Sequence, residues 1–165
     1  MTADPGPDPR PPPGVAPRVD FVPAPSLAYY RYLYNTVGAD WLWWTRRAMD
    51  DATLAAIIGD PAVEVYVLSV DGEPAGYGEL DRRDPRDVEL AYFGLMPAQV
   101  GRGLGRYFLA WMVRRAWQPQ PRRLWLNTCD MDHPRALDLY RRAGFQVYRR
   151  ENRVIDDPRL AGLFD

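Results

Sequence analysis

Lysine is absent from this chain: all 21 basic residues are arginine. That excludes the ATP-binding loop G-x-x-x-x-G-K-[ST], whose lysine reaches the phosphates. Otherwise the bias reads as the mark of a GC-rich genome, bacterial in expectation, and not of a function. A single cysteine excludes a disulfide framework, and a single histidine beside it leaves no zinc cluster of the usual spacing, so no metal is expected. A reducing cytoplasm is the expected compartment. The longest apolar runs, such as Val63 to Val70, are far too short to cross a bilayer, so no membrane is expected. The net charge of −1 gives no global pull toward nucleic acid. Residues 1–17 hold seven prolines and no apolar block, which excludes a secretory signal and reads as a disordered or polyproline-like arm.

What remains, residues 18–165, is one domain's worth of chain, and 47% of all residues are apolar, enough for a real core. Val19 to Val22 predicts a short first strand. Ser26 is an N-cap signal for a helix to about Thr36, closed by Val37-Gly38. That helix and the segment after it are dense in aromatics: Tyr29, Tyr30, Tyr32, Tyr34, Trp41, Trp43 and Trp44. These either tile the core or wall a pocket for a cationic amine. Asp50 or Asp51 caps a second helix ending at Ile58. Val63 to Val70, the turn Asp71-Gly72, and Pro74 to Leu80 read as a hairpin, and Arg82 to Asp87 as a charged turn. No repeat is visible.

The stretch Val88 to Phe108 organises the rest. Val88 to Phe93 alternates with β-branched and aromatic residues, as a half-buried strand does. Pro97 ends the ladder, having no N–H to donate. Gly101, Gly103 and Gly105 then let the backbone approach a ligand closely, and a helix follows at once, carrying Leu104, Phe108, Leu109, Met112 and Val113 at helical spacing. A strand, a glycine loop and a helix N-terminus make an anion site, because first-turn N–H groups and the helix dipole converge there. The helix runs to Trp117, the segment 118–121 breaks it, and Arg123 to Thr128 is a strand set parallel by the crossover. Asp132-His133-Pro134 opens another helix, with Ala136, Leu139, Tyr140 and Ala143 on one face and Gly144 closing it. Phe145 to Arg150 and Arg153 to Ile155 read as further strands.

The glycine loop resembles motif A of the GNAT superfamily of N-acetyltransferases, Arg/Gln-x-x-Gly-x-Gly/Ala after a strand, with Val100 where the arginine or glutamine usually stands and Gln99 one place early. The segment Arg135 to Phe145 resembles a second hallmark of the same superfamily, Asn-x-x-Ala-x-x-Leu-Tyr-x-x-x-Gly-Phe, with His133 in the asparagine's place. The resemblance covers residues 60–150 well and the N-terminal third in topology only. It implies an α/β fold: a mixed, mostly antiparallel, bent sheet with helices on both faces and a splayed parallel strand pair. It implies acetyl-CoA as co-substrate. The pyrophosphate would lie on the amides of Val100, Gly101, Arg102, Gly103, Leu104 and Gly105, with Arg102 and Arg106 beside it, and the pantetheine arm would pair with backbone groups of Leu95 and Met96. Gly94 is expected to permit the bulge that the splay needs.

Moving an acetyl group from a thioester to an amine needs a base for the ammonium proton, whose pKa is about 10, and an acid for the departing thiolate. The resemblance implies Tyr140 as that acid. It implies Glu89 as the base, fourteen residues before Gly103, the register of histone-type relatives. A glutamate between apolar neighbours gains a raised pKa, which suits the task. Glu79 or a water chain stands in reserve. Cys129 and Asp130 fall near the thioester, but a covalent acetyl-cysteine route lacks an activating histidine, and His133 reads first as a helix-start residue. The acceptor is a small-molecule or peptide amine. Two other functions stay open: a non-catalytic acyl-CoA sensor of the same fold, and an arginine-rich nucleic-acid module, the latter opposed by interleaved acids. A homodimer also stays open.

Overall fold

The computed structural model describes residues 1–2, 9–118 and 120–164. Residues 3–8 of the proline-rich arm, and Pro119 in the break after the long helix, lie outside the described residues. One sheet carries five strands in chain order: β1 (Arg18–Phe21), β2 (Val63–Val70), β3 (Glu73–Asp81), β4 (Asp87–Leu95) and β5 (Arg123–Trp125). Strands β1 to β4 pair antiparallel, each with the next, and β5 runs parallel to β4. The parallel pair follows from the chain path, since the helix α3 (Leu104–Trp117) carries the chain back along β4 before β5 begins.

Helices α1 (Leu27–Gly38) and α2 (Asp51–Ile58) cover one face of the sheet and α3 the other. The expected caps are in place: Ser26 Oγ accepts from Tyr29 N at 3.3 Å and Asp50 Oδ1 from Thr53 N at 2.8 Å. On the α1 face, Tyr30, Leu33, Tyr34 and Val37 pack with Val65, Val67 and Tyr77. On the α3 face, Leu104, Phe108, Leu109 and Met112 pack with Leu68, Leu80, Val88, Leu90 and Leu124. Each element therefore buries the stripe its periodicity laid out.

Several expectations need correction. The bulge in β4 lies at Ala91, not Gly94: Leu80 pairs with Leu90 and Glu79 with Tyr92, leaving Ala91 as the extra residue. Gly94 serves another need, because a Cβ there would meet Val37 Cγ1 at 2.3 Å, so a bare backbone lets α1 press onto β4. Strand β5 ends at Trp125 instead of Thr128. Residues 145–150 and 153–155 form no strands. The outer edge of β5 is taken by Met1, whose N donates to Leu124 O at 2.8 Å and whose O accepts from Leu124 N at 3.0 Å. Beyond the buried Phe145, residues 146–156 are exposed on every side, so no buried face holds them in a ladder.

Helix α4 (Ala136–Arg142) begins later than Pro134. His133 starts it differently: its Nδ1 accepts from Arg135 N at 3.0 Å. Its end is as expected, with Gly144 at φ 96 and Phe145 N donating to Tyr140 O at 3.0 Å. No helix among the described residues is long and apolar enough to cross a membrane.

Candidate active site

Strands β4 and β5 pair over only three rungs, Asp87 with Arg123, Val88 with Leu124, and Glu89 with Trp125. Past Glu89 they part, and no strand among the described residues covers the outer edge of β4. Met96 N donates inward to Ala75 O at 2.9 Å, so by strand alternation the groups of Leu95 and Phe93 point to the open edge. Met96 O in turn accepts from Gln99 N at 2.9 Å. Of the two residues expected to pair with a ligand there, Leu95 presents free edge and Met96 is spent within the chain. Phe93 is the edge residue that sequence reading missed; the bulge that resets the alternation carries no strong sequence signal.

The open edge points at the glycine loop. Gly101 and Gly103 sit at φ 87 and φ 78, a region that disfavours any side chain. Among the described residues, nothing lies within 4 Å of a Cβ placed on Gly101, and on Gly103 only Pro12 does, at 3.5 Å. Gly103 is the N-cap of α3 and offers no side chain to the first-turn N–H groups. Those donors and the positive end of the helix remain for an anion. Leu104 is buried and anchors the turn, whereas Val100, Arg102 and Arg106 are exposed. Arg102 is engaged locally by Gln99 Oε1.

Tyr140 closes one face of the opening. Its ring meets Phe93 edge-on at 6.4 Å and Phe145 at 6.1 Å, and Phe93 packs on Phe108 of α3. Burial, and then the charge of Asp132, push its hydroxyl well above the usual tyrosine range. The Tyr140 proton is therefore retained at any working pH.

Glu89 stands on the other face, at the last paired rung. Across the sheet, Asp81, Glu89 and Trp125 form one row, part of an open pocket of about 260 Å³ with Arg83, Asp84 and Asp87. Burial pushes the Glu89 carboxyl up, and the like charges of Asp81 and Glu79 push it further, against Arg46 and Arg83. Asp81 and Asp87 are held by arginines, through Arg83 Nη2 at 2.5 Å and Arg122 Nη2 at 2.8 Å.

Glu79, the reserve base, has no access to a ligand. It is 0% exposed; Oε1 takes Arg46 Nη2 at 2.6 Å and Oε2 takes the Tyr30 hydroxyl at 2.5 Å. The aromatic wall likewise holds a cation of its own, since the Arg46 guanidinium lies 5.2 Å from the Tyr92 ring centroid. Tyr30 and Tyr34 are core residues; Trp41, Trp43 and Trp44 line the rim half-buried. Two of these tryptophans bridge to the loop before α4. Trp41 packs on His133 at 5.0 Å and Trp43 Nε1 donates to Asp132 Oδ1 at 3.4 Å. Asp132 Oδ2 also accepts from Thr128 Oγ1 at 2.7 Å and Cys129 N at 3.1 Å, which ties down the turn carrying exposed Cys129 and Asp130.

This architecture is shared. The Acetyltransferase (GNAT) family matches residues 30–145, and the chain belongs to it. A protein of Mycobacterium tuberculosis (strain ATCC 25618 / H37Rv), described as an uncharacterized N-acetyltransferase, is 29% identical over 99 residues, 60% of this chain and 63% of its own. The same figures hold for a protein of Mycobacterium bovis with the same description. The chain thus spans under two thirds of the length of the curated relatives it matches. In fold it is similar to an aminoglycoside acetyltransferase from an uncultured soil metagenomic sample, solved with trehalose, at TM-score 0.65 and 11% identity, covering 86% of this chain and 95% of that one. It is similar also to an aminoglycoside N-acetyltransferase, AAC(6')-Iy, solved with CoA, at TM-score 0.64 and 19% identity, covering 87% and 96%.

Proposed function

We propose that this protein moves an acetyl group from acetyl-CoA to a primary amine of a small molecule, by direct attack within a ternary complex. The observation that carries the reading is the open edge of β4 leading to the uncapped N-terminus of α3, a groove with hydrogen-bonding backbone on one side and an anion cradle at its end. The site suits acetyl-CoA: amides from Val100 to Gly105 for the pyrophosphate, Arg102 and Arg106 at the rim, and the outward groups of Leu95 and Phe93 for the amide-bearing arm. Bound there, acetyl-CoA supplies a thioester whose carbon accepts an amine and whose sulfur leaves as a thiolate.

The chain's own residues then handle two protons. Glu89, with its raised affinity for a proton, takes one from the acceptor ammonium, directly or through a water, on the α1 face. Tyr140 hydrogen-bonds the leaving thiolate from the α3 face and passes it a proton, and the second proton shed by the nitrogen as the amide forms restores the hydroxyl. The base and the acid flank the opening from opposite sides, so neither neutralises the other. The acceptor class is supported by neighbours in fold that are named as aminoglycoside acetyltransferases. A cytoplasmic location fits a substrate of that kind, and the proline-rich arm precedes a single catalytic domain at 18–165.

Calorimetry with acetyl-CoA on the wild type and a Gly103→Trp variant tests this reading. Micromolar binding by the wild type, lost in the variant, supports it; no binding by the wild type removes it.

A further inference from the structure

Three hydroxyls run from the core to the acceptor face. Tyr34 is 1% exposed, and its oxygen accepts from Arg46 N at 3.2 Å. It lies 3.2 Å from Thr45 Oγ1, which lies 2.7 Å from the Tyr92 hydroxyl. Thr45 is exposed and Tyr92 half-buried, so the chain of hydroxyls surfaces at that pair. The direction of the protons follows from burial. A buried O–H without an acceptor costs about 1–3 kcal/mol, so the Tyr34 proton is spent on the pair. The pair uses one more proton in its own short bond. One O–H is left over at the outward end of the chain of hydroxyls, where Thr45 is exposed.

Outward here means toward the acceptor. One face of the β4–β5 opening is closed by Tyr140, Phe93 and Phe108. An amine therefore approaches from the α1 face, where Glu89 and Tyr92 both point from β4. Tyr92 also packs against Trp43 at 5.3 Å, so a flat apolar wall stands beside the hydroxyl pair.

We propose that Thr45 and Tyr92 are a specificity-determining pair that selects amines carrying a hydroxyl close to the reacting nitrogen, as amino sugars do. The pair offers one donor and free lone pairs, the complement of a substrate hydroxyl, which both accepts and donates. A site built to bond a substrate hydroxyl discriminates strongly against the analogue that lacks it, because its own polar groups are then left unpaired. This assignment rests on the acetyl-transfer reading above.

The test compares glucosamine with cyclohexylamine, six-membered-ring amines with and without hydroxyls, at saturating acetyl-CoA. For Tyr92→Phe the ratio of kcat/KM, glucosamine over cyclohexylamine, falls about tenfold relative to the wild type, as expected for one lost hydrogen bond. Thr45→Val, which breaks the alignment and leaves the tyrosine, lowers the ratio less. A ratio unchanged in both variants overturns the proposal, and so does a wild type that acetylates cyclohexylamine as well as glucosamine. Failure of the underlying reading looks different: the wild type then binds no acetyl-CoA in calorimetry.

Discussion

Arg46 Nη2 meets Glu79 Oε1 at 2.6 Å with both side chains sealed from solvent, at 8% and 0% exposure. The pair joins the loop after α1 to the C-terminal half of β3, and that loop carries Thr45 and the rim tryptophans to the acceptor face. Burial pushes the Glu79 carboxyl up against the pull of Arg46, yet the ionised pair is the state that gives each buried charge an opposite partner.

Glu79→Ala leaves the Arg46 charge buried and unpaired. The expected loss is about 3–5 kcal/mol, the range for breaking a buried pair on one side. Urea denaturation checks it. A change below about 1 kcal/mol, the value typical of exposed pairs, would show that water reaches the site.

Asp81 and Glu89 are paired across β3 and β4 on the same face. A base works only when deprotonated, so activity rises with pH through the Glu89 pKa, and the raised carboxyl places that limb above the ordinary glutamate range. Asp81→Asn removes a like charge, so the acid limb of kcat/KM moves to lower pH. A limb that stays in place, or that persists in Glu89→Gln, assigns the base elsewhere.

Tyr140→Phe keeps the ring contacts with Phe93 and Phe145 and removes only the proton donor. The expected outcome is a fall in kcat of about 100-fold or more, the scale of a lost general acid, with acetyl-CoA affinity held. Steady-state kinetics and calorimetry on one preparation separate the two. Loss of affinity with kcat intact would make Tyr140 a wall of the site and not its acid.

Gly94→Ala drives a methyl to within 2.3 Å of Val37 Cγ1. Overpacking of this kind costs about 1–3 kcal/mol. Val37→Ala in the same chain makes room, so the double variant loses less than the sum of the singles. Thermal melts of the three variants decide it.

Much of this was legible in the residues, for physical reasons. Val88 to Leu90 alternates, α3 repeats at 3.6, and the glycines between them need positive φ, so the strand, the loop and the helix could each be read locally. Glu89 and Tyr140 came from the resemblance to the family's motifs, which sit in register with that frame. Other features depend on distant contacts. Glu79 looks as polar as Glu89 along the chain, and only the arrival of Tyr30 and Arg46 from α1 and its loop seals it. Phe145 to Arg150 reads as a strand, but the outer edge of β5, where a further strand would pair, is held by Met1, far away in the chain. The bulge at Ala91, which turns Phe93 to the open edge, is a matter of register between β3 and β4. Thr45 and Tyr92 are 47 residues apart and carry no motif.

Acetyl transfer is followed by watching both products form. The protein is incubated with acetyl-CoA and glucosamine; free thiol is followed by colour and the acetylated amine by mass spectrometry. The two products are expected in equal amounts, over many turnovers, with both nearly abolished in the Glu89→Gln, Tyr140→Phe double variant. Acetyl-CoA bound in calorimetry with neither product formed, from this or any amine tried, would contradict acetyl transfer and make the protein a binder of acyl-CoA.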